Sequence, residues 1–153
     1  MTYRCETIDR PAQSVLSIRT RAAVQDLPQV MGKAYGAIMQ YLGELGVPPA
    51  GAPFVAYFNM DMQDLDMEIG FPVMQPLPGK GEIQPSEIPG GKAATCLHTG
   101  SYPELSQAYQ ALYAWVNESG YQATGASYEF YLNDPEETPP EKLQTQIVFP
   151  LVN

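Results

Sequence analysis

An internal repeat is the feature of this sequence that most constrains its fold. Residues 34–59 align without a gap on residues 108–133, and nine of the 26 aligned positions are identical. Upstream of this block, residues 17–20 resemble residues 96–99. Two copies are too few for a solenoid, which needs at least about three stacked repeats. The repeat therefore predicts one duplicated domain with pseudo-two-fold symmetry.

The two copies fit within a single domain covering residues 1–153, because a chain of this length commonly forms one domain with its own core. The first copy occupies about residues 1–74 and the second about residues 86–153. Residues 75–85 are rich in Pro and Gly and have no counterpart in the other copy. This composition is typical of an irregular linker.

One helix is predicted in each copy. Asp26 and Ser101 each begin a capping box with Pro in the first helical turn, which indicates a helix start. Gly46 and Gly120 stand where a left-handed residue is expected to end each helix. Between these signals apolar residues recur at helical spacing. The two stripes contain Leu27, Met31, Ala34, Ile38, Leu42 and Leu45, and then Leu105, Ala108, Tyr109, Leu112 and Val116.

Strands are predicted on both sides of each helix. They cover residues 14–20, 54–59 and 67–73 in the first copy, residues 93–99, 127–133 and 144–151 in the second, and leading strands near 6–9 and 82–88. Each copy is thus a βαββ unit. The sequence predicts an α+β fold with one antiparallel sheet and two main helices packed on it.

Charge and composition argue against several partners. The net charge of −9 and only eight basic residues do not suit a nucleic-acid-binding surface. The start of the chain lacks the pattern of a signal peptide, and no run of about 18 apolar residues suggests a membrane span. Cys5 and Cys96 are expected to be reduced, with a Cys5–Cys96 bridge as the alternative. A cytoplasmic protein without a membrane or direct nucleic-acid partner is expected.

Common catalytic and cofactor motifs do not occur in the sequence. There is no phosphate-binding loop, dinucleotide fingerprint or His-Glu-x-x-His motif. His98 is the single histidine, which argues against His-rich metal sites and against a Ser-His-Asp triad. We expect His98 to stabilise a turn or to be solvated. No metal and no cofactor are predicted.

Glu129 lies in the middle of a strand that otherwise suits a buried position. Its counterpart in the repeat is Val55. A carboxylate on an apolar sheet is costly unless it is paired, hydrogen-bonded or protonated, so a buried Glu129 indicates a functional residue. Alternatively, Glu129 faces water or pairs with Arg19. A second strand carboxylate, Glu68, is expected on a solvated face beside an acidic loop.

Aromatic and methionine side chains on the two helices are further candidates for a binding pocket. Such side chains suit a hydrophobic or cationic ligand, although ordinary core packing is the better explanation for each of them taken singly. They are Tyr109, Tyr113 and Trp115 on the second helix, and Tyr35 and Met39 on the first.

Three motifs in the second copy carry a resemblance to a known family. They are His98-Thr99-Gly100-Ser101-Tyr102-Pro103-Glu104-Leu105, then Tyr109-x-x-Leu112-x-x-Trp115, and Tyr128-Glu129-x-Tyr131-Leu132-Asn133-Asp134-Pro135. The chain resembles the GyrI-like small-molecule-binding domain, the effector-binding domain of AraC-type and multidrug-binding transcription regulators.

The resemblance implies a duplicated βαββ fold with a ligand cleft. In multidrug-binding members a strand glutamate in an aromatic pocket meets cationic drugs, and this residue maps onto Glu129. The aromatic pocket walls of the family map onto Tyr109, Trp115 and Tyr131. Regulators of the family also carry a helix-turn-helix domain, which this sequence does not supply, so a stand-alone member is expected.

Three functions follow from the resemblance. The first is binding of a small hydrophobic or cationic molecule, as a sensor or a sequestering protein. The second is hydrolysis of reactive, cyclopropane-type compounds with Glu129 as general acid or base. The third is interaction with a protein partner, as in a gyrase inhibitor.

Overall fold

The computed structural model describes residues 3–152, which form an α+β fold built from two repeats. This part of the chain divides into two compact units. The first unit is residues 11–90, and the second unit is residues 3–10 together with residues 91–152. In chain order the elements are β1 (Cys5–Arg10), β2 (Gln13–Ala22), α1 (Leu27–Leu45), β3 (Phe54–Tyr57), β4 (Leu65–Pro72), β5 (Gln84–Ile88), β6 (Gly91–Thr99), α2 (Leu105–Glu118), β7 (Ser127–Tyr131) and β8 (Gln144–Pro150).

Both units have the same antiparallel topology. In the first unit the strand order is β5-β2-β4-β3, and α1 packs against β2 and β4. In the second unit the order is β1-β6-β8-β7, and α2 packs against β6. Each unit therefore consists of one βαββ repeat and one additional edge strand. The predicted fold class is confirmed.

The additional strands are exchanged between the repeats. Strand β1 precedes β2 in the sequence but pairs with β6, with Cys5 opposite Cys96 and Arg10 opposite Gly91. Strand β5 precedes β6 but pairs with β2, with Gln13 opposite Ile88. The compact units consequently do not follow the boundaries of the sequence repeats.

Neither helix begins with the predicted capping box. The side chains of Asp26 and Ser101 make no capping hydrogen bond, and a single 3-10 turn precedes each helix. In these turns the Asp26 N–H donates to the Ala23 carbonyl (2.9 Å) and the Glu104 N–H to the Ser101 carbonyl (3.1 Å). The prediction was wrong because backbone carbonyls satisfy donors that a capping side chain would otherwise bind.

The helix ends and the buried helix faces agree with the sequence pattern. Gly46 ends α1 with φ of 71°, and Gly120 follows α2 with φ of 79°, the left-handed conformation that glycine adopts without strain. In the second unit, α2 and the strands beneath it form one core. Its buried members are Ala94, Cys96, Ala108, Leu112, Val116, Ile147, Phe149 and Leu151.

Strand register identifies equivalent positions in the two repeats. Val55 pairs with Ile69 in the first unit, and Glu129 pairs with Ile147 in the second. These pairs occupy the same place in β3–β4 and β7–β8, as the gap-free alignment requires. Val55 and Glu129 are therefore structural counterparts.

The predicted correspondence upstream of the helices is shifted by one residue. Phe54 and Tyr128 pair with Gly70 and Val148, which makes the latter two equivalent. Gly70 pairs onward with Ser17, whereas Val148 pairs with Thr95. Ser17 thus corresponds to Thr95 and not to Cys96. A four-residue similarity was too short to fix the register, and a shift of one residue exchanges the faces of a strand.

Candidate functional site

Glu129 is a buried carboxyl on the helix-facing side of the second unit. Only 7% of its surface is exposed. Its strand partner Ile147 belongs to the core beneath α2, and paired residues project from the same face of a sheet. Neither alternative for Glu129 holds, because the side chain does not face water and Arg19 pairs instead with Asp66 at 2.7 Å.

Two tyrosine hydroxyls hold the Glu129 carboxyl. Tyr109, from α2, donates a hydrogen bond to Oε2 at 2.5 Å. Tyr131, two residues further along β7, donates to Oε1 at 2.8 Å. Each carboxyl oxygen therefore has one hydroxyl donor, and the group is fixed by one helix and one strand.

The surroundings of Glu129 favour its protonated form. Burial raises the pKa of the Glu129 carboxyl above its usual value, while the hydrogen bonds from Tyr109 and Tyr131 lower it and offset part of this effect. Within residues 3–152, no Lys or Arg forms an ion pair with Glu129. A cation placed beside this carboxyl would stabilise its charged form.

A third tyrosine, Tyr102, extends the aromatic surroundings of the carboxyl. Its ring makes an edge contact with the Tyr131 ring at 5.7 Å between centroids. Burial raises the pKa of the Tyr102 hydroxyl, and the charges of Glu129 and Asp134 raise it further. Tyr102 was not among the predicted site residues, although it lies in the first of the three family motifs.

His98 fixes the turn between β6 and α2. Its ring is completely buried, and Nε2 lies 3.0 Å from the Ser101 carbonyl oxygen, so Nε2 carries the proton and donates. Nδ1 and the Tyr3 hydroxyl share a hydrogen bond of 3.0 Å. Of the two roles expected for His98, the structure supports stabilisation of a turn, and solvation was wrong.

Two other predicted residues of α2 pack away from the carboxyl. The Tyr113 ring lies 4.6 Å from Phe149, and the Trp115 ring lies 6.1 Å from Tyr121, measured between centroids. Both are partly buried against the core of the second unit. In the described part of the chain, neither makes a hydrogen bond or a ring contact with Glu129.

The remaining predicted residues belong to the first unit. The Tyr35 hydroxyl donates to the Phe54 carbonyl at 2.8 Å, and its ring makes an edge contact with Phe71. Met39 is 45% exposed on α1. Tyr35 therefore has a structural role within the first unit, where it holds α1 against the strands.

Glu68 is buried, contrary to the prediction of a solvated face. It accepts a hydrogen bond from the Ser17 hydroxyl at 2.6 Å. The acidic loop before β4 suggested exposure, but Ser17 on the neighbouring strand supplies a partner that the local sequence does not reveal. Glu68 provides a second buried carboxyl with a different environment.

The second unit also has a surface cavity of about 380 Å³. Its lining includes neither Glu129 nor the two tyrosines that hold it. The lining residues are Thr99, Gly100, Ser101, Glu104, Pro140 and Glu141.

The Cys96 thiol is a poor nucleophile. Cys5 and Cys96 are both free thiols, and they lie opposite each other on β1 and β6. Burial raises the pKa of the Cys96 thiol to about 12. The thiolate, which is the reactive form, is therefore scarce at neutral pH.

Comparisons with known proteins identify related sequences and folds. The family described as the GyrI-like small molecule binding domain matches residues 3–152. A comparison with curated protein sequences gave no significant match. Within the described residues, no helix is both long enough and apolar enough to cross a membrane.

Several solved structures have the same fold. The EcmrR C-terminal domain superposes with a TM-score of 0.89 at 24% identity, covering 100% of this chain and 99% of that one. A hydrolase from Listeria innocua has a TM-score of 0.68 at 16% identity, with coverage of 97% and 92%. SAV2435 bound to tetraphenylphosphonium has a TM-score of 0.62 at 11% identity, with coverage of 100% and 95%.

The likeness to these structures concerns the fold alone, because every identity is below 25%. This chain spans 57% of the length of EcmrR in its complex with DNA.

Proposed function

Since the chain belongs to the GyrI-like family of small-molecule-binding domains, we propose that it binds lipophilic cations against Glu129. In this proposal the protein acts as a sensor or a sequestering protein. The carboxyl of Glu129 supplies the negative charge. Tyr109, Tyr131 and Tyr102 supply polarisable surface around it.

The observation that carries this proposal is a buried carboxyl without a cation. Glu129 is held by two hydroxyls, and no Lys or Arg pairs with it in residues 3–152. Val55, its counterpart in the first unit, is completely buried. The fold therefore accepts an apolar side chain at this position, and packing gives no reason for a carboxyl.

Electrostatics make a lipophilic cation the best match for this group. Burial of an unpaired carboxylate is costly, and two hydroxyl donors compensate for only part of the lost hydration. A cation with aromatic or aliphatic substituents would pair with the charge without a large desolvation cost of its own. Its apolar groups would contact tyrosine rings, which also attract cations.

The fold comparison provides a suitable probe. SAV2435 was solved bound to tetraphenylphosphonium, a lipophilic cation without hydrogen-bonding groups. Binding of this cation by the present chain can be measured by isothermal titration calorimetry and by the increase in melting temperature that a ligand of the folded state produces.

Two carboxyl variants test the proposal. Glu129→Gln keeps the size of the side chain but removes its charge, and it should weaken tetraphenylphosphonium binding by at least about thirtyfold, the effect of removing one partner of a buried charge pair. Glu68→Gln is the matched control, because Glu68 is also buried and hydrogen-bonded. It should leave binding unchanged. Equal affinities of the wild type and Glu129→Gln would disprove the proposal.

Hydrolysis is a second candidate, favoured by the raised pKa of Glu129. A carboxyl whose pKa is raised holds its proton to a higher pH, as a general acid requires. Incubation with a cyclopropane-containing electrophile should then give a product heavier by one water, detected by mass spectrometry. Equal conversion by the wild type and Glu129→Gln would exclude this role for Glu129.

A further inference from the structure

Thr145 carries a buried hydroxyl that has no partner among the residues that the structure describes. The residue lies on β8 and is completely buried. Its Oγ1 has no hydrogen-bond partner in residues 3–152. Leaving a hydroxyl buried and unbonded is costly, so an unsatisfied group of this kind requires an explanation.

The neighbouring polar groups are already used by other contacts. Thr145 lies between Tyr131 on β7 and His98 on β6, its two strand partners. The Tyr131 hydroxyl donates to Glu129. Both ring nitrogens of His98 are engaged, one with Tyr3 and the other with the Ser101 carbonyl.

The first unit shows that packing does not require a hydroxyl at this position. Thr145 pairs with Tyr131, and Met67 pairs with Tyr57 at the equivalent place. Met67 is completely buried. At the two positions where the first unit has the apolar residues Val55 and Met67, the second unit thus has polar ones. Both positions lie on the same face.

Thr145 is close enough to Glu129 for one small molecule to reach both. Tyr131 is paired with Thr145, and Glu129 is two residues away on the same strand. Such diagonal neighbours on adjacent strands lie roughly 7–8 Å apart. The spacing suits a molecule in which a cationic centre and a polar substituent are separated by one aromatic ring.

We infer that the Thr145 hydroxyl is a ligand-binding group that selects lipophilic cations bearing one hydroxyl or carbonyl substituent. This inference rests on the proposed function of Glu129 and extends it. Glu129 would pair with the charge, and Thr145 would form a hydrogen bond with the substituent. A buried hydroxyl without a partner gives specificity because it stays unpaired when a ligand without a polar substituent binds. A ligand with the matching substituent forms the missing hydrogen bond and is therefore preferred.

Two probes and two variants test this inference by calorimetry. The probes are tetraphenylphosphonium and its derivative with one 4-hydroxymethyl group, which has the same charge and one added hydroxyl. The wild-type protein should prefer the derivative about fivefold, as expected for one neutral hydrogen bond. Thr145→Val is nearly isosteric and should abolish this preference. Thr145→Ser retains a hydroxyl and should retain it.

The melting temperature of the ligand-free protein tests independently whether the Thr145 hydroxyl is unbonded. If Oγ1 is unbonded in the free protein, Thr145→Val should leave the melting temperature unchanged or raise it. A clear decrease would show that a bound water already satisfies the hydroxyl, and it would overturn the inference.

The possible results distinguish the role of Thr145 from the proposed function of Glu129. The role of Thr145 is overturned if Thr145→Val still prefers the hydroxymethyl derivative, or if this variant binds both probes more weakly by the same factor. Either result leaves the role of Glu129 intact. If Glu129→Gln binds tetraphenylphosphonium as tightly as the wild type does, the proposed function is disproved. Absence of binding of either probe to the wild type overturns both.

Discussion

Replacing Tyr109 by Phe should destabilise the protein in a pH-dependent way. The substitution removes the hydroxyl that donates to Glu129 Oε2, while the ring can keep its contact with Phe149 at 5.7 Å. A hydrogen bond to a charged group contributes about 1.5–3 kcal/mol, and a bond to a neutral group about 0.5–1.5 kcal/mol. The loss should therefore be larger when Glu129 is ionised.

The sign of the pH dependence follows from the raised pKa of Glu129. Because the pKa of Glu129 is higher in the folded state than in the unfolded chain, the contribution of this group to stability is fully present below the unfolded value. That contribution is lost as the pH rises towards and through the folded pKa. Loss of the Tyr109 hydroxyl should raise the pKa further and steepen this decline, whereas Glu129→Gln should abolish it.

Urea unfolding at about pH 4 and about pH 8.5 measures the difference, once a comparison of the wild type with Glu129→Gln has shown that the carboxyl ionises between these two pH values. At the higher pH the Tyr109→Phe variant should lose about 1.5–3 kcal/mol, which corresponds to roughly 3–12 °C in melting temperature for a chain of this size. At the lower pH the loss should fall to about 0.5–1.5 kcal/mol.

Tyr113→Phe is the matched control for this experiment. Tyr113 lies on the same helix and its ring also packs on Phe149, but in residues 3–152 its hydroxyl makes no hydrogen bond. This variant should change stability little at either pH. If Tyr109→Phe behaves like Tyr113→Phe at about pH 8.5, or loses the same free energy at both pH values, a charged carboxyl held by Tyr109 is refuted.

Two further predictions concern packing and thiol chemistry. A Cβ atom on Gly70 would collide with the Leu16 carbonyl oxygen and lie 2.8 Å from Ser17 Cβ, so Gly70→Ala should cost at least about 2 kcal/mol. Gly36→Ala, in the helix interior with open space around the new methyl group, should instead stabilise by about 0.5–1 kcal/mol. Both values come from urea unfolding, and equal effects of the two variants would contradict the packing argument. With its pKa at about 12, Cys96 should react with iodoacetamide at least about a hundredfold more slowly than a free cysteine, because the loss of thiolate outweighs the higher nucleophilicity of a more basic thiolate. Peptide-resolved mass spectrometry measures this rate, and rapid labelling of Cys96 in the folded protein would contradict the burial of its thiol.

The sequence predicted the fold well where periodic patterns and the repeat agreed. The apolar stripe that includes Ala34 and Ile38 gave α1, and both side chains are buried. Details that depend on tertiary contacts could not be predicted. The 3-10 turns replaced the capping boxes, and no local pattern states that β1 pairs with β6 and not with β2.

The candidate site was predictable only in part. Glu129 stood out because its repeat counterpart is Val55, a comparison that requires no structure. Tyr102 and Thr145 were missed because Tyr and Thr are ordinary residues in a turn and a strand. The significance of Thr145 appears only when its neighbours are known to be occupied. Glu68 was misjudged because its partner Ser17 is distant in the sequence.

The exchange of β1 and β5 means that one unit is an insertion within a hairpin of the other. Arg10 and Gly91 face each other across neighbouring strands, although 80 residues, 11–90, separate them in the chain. A tight turn could therefore replace all of residues 11–90 and leave β1 continuous with β6. The excised segment would begin and end at adjoining strands, since Gln13 is opposite Ile88. Protein engineers could thus divide this chain into two mini-domains by cutting at two neighbouring points, whereas a cut at its midpoint would leave each piece with a missing strand.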